Sequence, residues 1–270
     1  MGFSRRTRLI GSTVAVSTSE ADDLATRDLS PLHQRDLVVE LTRHLLGVEA
    51  GIAYGGDFRK AGFTELLVEV QRAHAGSVGA VSPRIISYLL EPLPAEERAS
   101  YVDAVRFVDI RFIEIEHVAD DSAAAEARAR AKSLRAMRCE IARDVGALVA
   151  IGGRTSGYAG WRPGIADEIA AAVAAGKPIY LVGGFGGSAG GYANAAFLGC
   201  DLPDAPAPPE LGEETTGGLA LPSVDEVVQA LRGRMSPNGL TKAENAHLAQ
   251  AVDPAEIVAL VLKGLATISK

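Results

Sequence analysis

The chain has 270 residues, 47% of them apolar and 23% charged, with a formal net charge of -7. That much apolar material builds a substantial core, and the acidic balance excludes the broad basic surface with which proteins neutralise duplex nucleic acid. Cys139 and Cys200 lie far apart and outside any metal-ligand spacing. With no segment that reads as a signal peptide and no apolar run of about 18 residues, they point to a cytoplasmic protein without metal or membrane contact.

The first ten residues, MGFSRRTRLI, are basic and read as a flexible lead-in. From Gly11 the pattern is regular. "STVAVSTS" predicts a strand, "SPLHQRDLVVELTRHLLG" a helix with Ser30 as N-cap and Pro31 at its first position, and "GIAYGGD" a strand ending in Gly55-Gly56. "GFTELLVEVQRAHAG" predicts a helix leading to "PRIISYLL", and "VRFVDIRFIEIE" is β-rich. Asp121 to Asp144 predicts a helix, "LVAIGG" a strand, Pro163 to Ala175 a helix and "KPIYLVGGFGG" a strand with its glycine turn. Strands alternating with helices imply an α/β, Rossmann-like, doubly wound and mostly parallel sheet with helices on both faces, over residues 11–200. Residues 201–221, rich in proline, glycine and acid, read as an exposed loop, and 222–270 as helices that cap the core or meet another subunit.

Twenty-nine glycines exceed the usual share of about 7%, and three pairs, Gly55-Gly56, Gly152-Gly153 and Gly183-Gly184, follow apolar runs. All three belong at the carboxyl edge of a parallel sheet, where ligands bind and bare N–H groups attract anions. Tight turns also use glycine for packing alone. The spacing fits neither GxGxxG nor GxxxxGK[ST], which weighs against a nicotinamide enzyme or a nucleoside triphosphatase of those kinds.

The helix before the second turn carries Arg128, Arg130, Lys132, Arg135, Arg138 and Arg143. At 100° per residue Ala127, Leu134, Met137 and Ile141 make its apolar face. Arg138 falls at the edge of that face, Arg130 toward it and Arg143 nearly opposite. After the turn, "GRTSGYAGWRPG" supplies Arg154, Tyr158, Trp161 and Arg162, with Arg154 the better candidate for ligand contact. In the next helix Ile165, Ile169 and Val173 point inward, Asp167 outward, and Glu168 lies on the flank. An acid in a first turn commonly serves the helix dipole; near a sugar it can instead accept a ribose hydroxyl or stabilise an oxocarbenium-like centre.

Four segments in order, "GIAYGGDFRKAGFTELL", "LRAMRCEIARDVGALVAIGGR", "GYAGWRPGIADEIAAAVAAGKPIYLVGGFGG" and "NGLTKAENAHLAQAVDPAEIVALVLKGL", resemble the SLOG superfamily. It includes the LOG cytokinin-activating phosphoribohydrolases and sensors of nucleotide derivatives in prokaryotic conflict systems that defend against phage. The chain looks most like the sensor branch found beside or fused to TIR domains. In the LOG enzymes a helix arginine and the acid of PGGxGTxxE act on the ribose phosphate, and the resemblance places Arg138 and Glu168 there. The motif departs from that pattern: Arg154 to Arg162 are inserted before Gly164-Ile165-Ala166-Asp167-Glu168.

The resemblance implies a pocket for a nucleotide-derived ligand, such as ADP-ribose or a cyclic ADP-ribose isomer made by a TIR enzyme. Its lining would be Gly55, Gly56, Asp57, Arg59, Arg138, Gly152, Gly153, Arg154, Gly164, Glu168 and the turn Gly183, Gly184, Phe185, Gly186, Gly187. No cofactor beyond that ligand is expected. A sensor would signal through a homo-oligomer, a separate TIR-type enzyme or an effector. The alternatives are an N-glycosidase acting on nucleoside monophosphates with Glu168 and Arg138 catalytic, and a scaffold whose glycines only make turns.

Overall fold

The β-branched run Thr13–Ser19 forms β1 at the middle of the sheet, where both faces are covered and only its two ends are half-exposed. The structure is a computed structural model that describes residues 9, 12–57, 61–78, 84–93, 97, 101–102, 104–115, 122–203, 205–214, 220–233 and 238–269. Beyond β1 follow α1 (Pro31–Gly47), β2 (Gly51–Gly55), α2 (Phe63–Val78), β3 (Ile85–Glu91) and β4 (Asp109–Glu114). Then come α3 (Ala123–Asp144), β5 (Ala147–Gly152), α4 (Gly164–Ala174), β6 (Ile179–Val182) and α5 (Gly187–Ala193), which continues as a π-helical turn, Asn194–Leu198. Three further helices close the chain: α6 (Val224–Arg232), α7 (Lys242–Leu248) and α8 (Pro254–Ile268).

The six strands make one parallel sheet in the order β4-β3-β2-β1-β5-β6. The chain winds from β1 outward to β4, then returns past β1 through α3 to β5 and β6. The direction reverses between β1 and β5, where Ser19 pairs with Gly152; connections diverge there and leave a crevice. The fold class is therefore the Rossmann-like α/β sheet that the alternating pattern implies.

The core has two layers. On one face Leu37, Leu41 and Leu45 of α1 and Val258, Val261 and Leu265 of α8 pack with Val14 and Val16. On the other, Met137 and Ile141 of α3 and Ile165 and Ile169 of α4 cover Ala15, Leu148 and Ala150. The small strand residues on this second face let α3 and α4 sit close to the crevice. Ser30 caps α1 as expected, its N–H donating to His33 Nδ1 at 2.9 Å.

One local expectation changes. The stretch after β6 is helical rather than a bare turn, because its glycines and alanines pack so closely that no apolar period is needed to bury it. The described residues 201–203 and 205–214 are anchored to the inserted loop. Leu211 is buried against Trp161, and the Tyr158 hydroxyl donates to the carbonyls of Ala205 and Pro206, each at 2.7 Å. Residues 1–8 of the lead-in lie outside the described residues. Among the described residues no helix is long and apolar enough to cross a membrane. Of the C-terminal helices, α8 packs on α1 and α6 on α4.

Gly183 and Gly184 follow β6, where a Cβ would collide with the backbone carbonyl oxygens of Ala249 and Ala251 respectively. A backbone oxygen cannot yield as a side chain does. Gly183→Ala is expected to lower the urea-unfolding free energy by about 1–3 kcal/mol through overpacking, whereas Gly47→Ala, with open space around it, should show no such loss.

Candidate functional site

The crevice between β1 and β5 is built on Gln34, a polar residue inside the apolar stripe of α1. It is fully buried, and its amide nitrogen donates to Thr18 Oγ1 at 2.9 Å and Ser19 O at 2.8 Å. Its amide oxygen accepts from Ala21 N at 3.3 Å. Gly152, at φ 64°, passes so close that a Cβ would lie 2.7 Å from Gln34 Nε2. Gly153 follows at φ 98° with its N–H donating to Ser19 O at 2.8 Å, and a Cβ there would meet Ile165 Cδ1 at 2.7 Å. The second glycine pair is thus required by close approach of β1, α1 and α4.

The other turns have packing reasons as well. A Cβ on Gly55 would sit 2.8 Å from Ile141 Cδ1, and one on Gly56 would collide with the Tyr54 ring. Asp57 is half-buried just beyond β2, and Arg59 lies outside the described residues. In the third turn Phe185 is fully buried, Gly186 faces the Asp23 carboxylate and Gly187 abuts Gly153 O. The Gly186 N–H donates to Gly183 O at 2.9 Å and the Ser188 N–H to Gly153 O at 3.1 Å. Gly183 to Gly187 therefore all have contacts within the chain that account for them.

The charged residues assemble differently from the helical-wheel expectation. Asp167 does not face outward: it is 1% exposed and holds two arginines of α3. Its Oδ1 accepts from Arg135 Nη2 at 3.2 Å and its Oδ2 from Arg138 Nη1 at 3.1 Å. Arg135, i−3 from Arg138, is buried to 2% exposure, pairs also with Glu214, and lies 5.3 Å from the Trp161 ring centroid. Burial alone would weaken its charge, but the Asp167 and Glu214 carboxylates outweigh that and raise its pKa. Arg130 is exposed instead of turning toward the apolar side, and Arg143 is exposed as expected. Periodicity alone places Asp167 outward, whereas its pairing with two guanidinium groups of α3 turns it inward.

Around this cluster stand the groups with remaining capacity. Arg138 is nine-tenths buried, with its Nε unpartnered among the described residues. A Cβ on Gly164 would lie 2.9 Å from Arg138 Nη2, so the glycine makes room for the guanidinium at the start of α4. The amides of Gly164, Ile165 and Ala166 precede the first intrahelical bond, from Asp167 N to Pro163 O at 3.0 Å. Glu168 is half-buried. Burial pushes its carboxyl above the ordinary glutamate value, nearby Arg138 and Ser17 partly offset this, and Asp167 adds to it. Ser17 Oγ, on β1, borders that carboxylate without reaching standard hydrogen-bond geometry. Arg154 is exposed and forms no ion pair among the described residues. Trp161 is packed beneath the inserted loop, 5% exposed, rather than presented to solvent.

A family model described as SLOG cluster2 matches residues 8–199, well over half of the chain. The chain belongs to the SLOG cluster2 family. The matched span contains β1 to β6, α3, α4 and all the crevice residues of this SLOG domain. Among solved structures, the X-ray structure of TM1055, a structural genomics target, is similar at 20% identity, with a TM-score of 0.40, covering 72% of this chain and 86% of that one. No curated protein shows significant similarity to the SLOG chain.

Gln34 and Ser17 are not among the residues singled out from the sequence, and Arg135 is named there only as one of the basic residues of its helix. Gln34 was detectable as a polar side chain in line with Leu37, Val38 and Leu41, and Arg135 as the i−3 partner of Arg138. Removing the shared carboxylate tests their assembly. Asp167→Asn leaves the buried Arg138 guanidinium without its paired carboxylate and Arg135 with Glu214 alone, and is expected to cost roughly 3–5 kcal/mol in denaturant unfolding. Glu40→Gln, which breaks the exposed Glu40–Arg43 pair, should cost under about 1 kcal/mol.

Proposed function

We propose that this SLOG domain binds a nucleotide-derived small molecule in the crevice between β1 and β5. The observation that carries the reading is the grouping at the switch point of Glu168, Ser17, Arg138 and the first amides of α4, which have no partner among the described residues. A helix N-terminus beside a guanidinium favours a phosphate, and a carboxylate beside it can accept ribose hydroxyl hydrogens. Exposed Arg154 stands at the mouth to add a second charged contact. Family membership supports the same class of ligand, and the resemblance to the TIR-associated branch adds ADP-ribose and its cyclic isomers. A TIR-type enzyme, an effector protein and self-association belong to that proposal as the means of signalling.

One observation favours a second reading, cleavage of an N-glycosidic bond in a nucleoside monophosphate. The carboxyl of Glu168 is pushed upward by burial, the direction that favours a group acting as a proton donor. The Arg154 to Arg162 insertion and the commitment of Arg138 to Asp167 favour binding over turnover.

Calorimetric titration with AMP, ADP, ADP-ribose and cyclic ADP-ribose isomers, paired with chromatography of the incubated mixtures, separates the readings. Saturable binding without base release is expected, weakened in Glu168→Gln by about 1.5–3 kcal/mol, the range for hydrogen bonds to a charged group. Base release abolished in Glu168→Gln would establish the glycosidase instead. Absence of heat at millimolar ligand would contradict both.

A further inference from the structure

The connection from β1 to α1 occupies the place where dinucleotide-binding sheets carry their glycine-rich phosphate loop, yet here it is acidic, with Glu20, Asp22, Asp23 and Asp28 against Arg27. Two of these carboxylates are spent on the crevice's own hydrogen-bond donors. Asp22 Oδ2 accepts from Thr155 N at 2.9 Å, Ser156 N at 3.1 Å and both hydroxyls at 3.2 Å. Burial pushes the Asp22 carboxyl up, and these four donors more than reverse it, so its pKa falls. Asp23 Oδ1 accepts from Gly187 N at 2.7 Å at the start of α5, and Oδ2 accepts from Arg27 Nε at 2.9 Å. Gly186 leaves the space that the Asp23 carboxylate fills.

Two consecutive backbone N–H groups with two hydroxyls form an anion cradle, as does a glycine turn entering a helix. In this chain both hold internal carboxylates. A second phosphoryl group arriving there would lose its donors to Asp22 and Asp23 and meet their negative charges at close range. The start of α4 differs: its first amides have no partner among the described residues, and Arg138 stands beside them.

From this asymmetry, and resting on the reading of the crevice as a nucleotide site, we infer that Asp22 and Asp23 are specificity determinants that restrict the site to ligands carrying a single phosphoryl group. The phosphate lies toward α4, and the part of the ligand facing the β1–α1 connection is uncharged, a sugar or base edge that the acidic segment can meet through hydroxyl or amino hydrogens. The inference narrows the proposed function: it keeps the nucleoside monophosphates of that ligand class and removes the diphosphates of the ADP-ribose type that the resemblance had added.

The test compares the wild-type protein with the isosteric double variant Asp22→Asn/Asp23→Asn in chelator-containing buffer. AMP, ADP and ADP-ribose are titrated by calorimetry, while the backbone amide of Gly187 is followed by NMR during addition of inorganic pyrophosphate. Wild type should bind AMP at least tenfold more tightly than either diphosphate, and the double variant should narrow that ratio to threefold or less. Pyrophosphate should shift Gly187 in the variant and leave it unmoved in wild type. Equal or tighter binding of ADP-ribose by wild type would overturn the inference, as would an unchanged ratio in the variant or a Gly187 amide indifferent to pyrophosphate in both proteins. Failure of every nucleotide to bind would instead remove the nucleotide reading, and the pyrophosphate arm would still decide whether the carboxylates guard these donors.

Discussion

Asp167 is buried between two arginines of the neighbouring helix, and the arrangement of the crevice depends on that contact. A carboxylate so enclosed is costly unless its charge is matched. Arg135 and Arg138 match it from one turn of α3, at 3.2 and 3.1 Å. The contact ties α3 to the first turn of α4 and, through Arg135, to Trp161 and Glu214. The inserted loop and the segment over it are thereby held above the strand ends. The same pairing commits Arg138 inward, so this arginine fixes the start of α4 first and has its remaining capacity for a ligand second.

Glu168, the next residue, takes the opposite position. It is half-buried, without a guanidinium hydrogen bond of its own among the described residues, and the field of Arg138 does not compensate for the loss of water. An acid held this way opposes folding when ionised: its folded pKa exceeds its unfolded one, so the penalty develops as pH rises from the ordinary glutamate range through the folded value and persists above it. A ligand hydroxyl donating to the carboxylate would relieve that penalty, which connects the energetics of the fold to the chemistry proposed for the site. The glycine turns contribute in another way. They let the chain approach itself closely around the crevice, and their donors are largely satisfied within the chain.

Much of the fold was legible because parallel strands covered on both faces must be continuous apolar runs, as in "LVAIGG" and "KPIYLVGG". The helix from Gly187 was not legible, since helices packed through glycine and alanine carry no apolar period. The site was legible in part. Glu168 and Arg138 emerge from spacing and resemblance, but periodicity placed Asp167 in solvent because it has no means of registering a partner on another helix. The roles of Asp22 and Asp23 were hidden for the same reason: their donors, Thr155, Ser156 and Gly187, are more than 130 residues away.

The most direct measurement is the titration of the Glu168 side-chain carboxyl by carbon-detected NMR in the ligand-free protein. With Asp167 absorbing both arginines and Glu168 left buried without a hydrogen-bonded cation, half-protonation should occur above the ordinary value of 4.5. Asp167→Asn, which frees positive charge beside it, should move the midpoint down wherever the variant remains folded. A wild-type midpoint at or below the ordinary value would mean that Glu168 is already paired, and would contradict the account of it as the uncommitted carboxylate of the crevice.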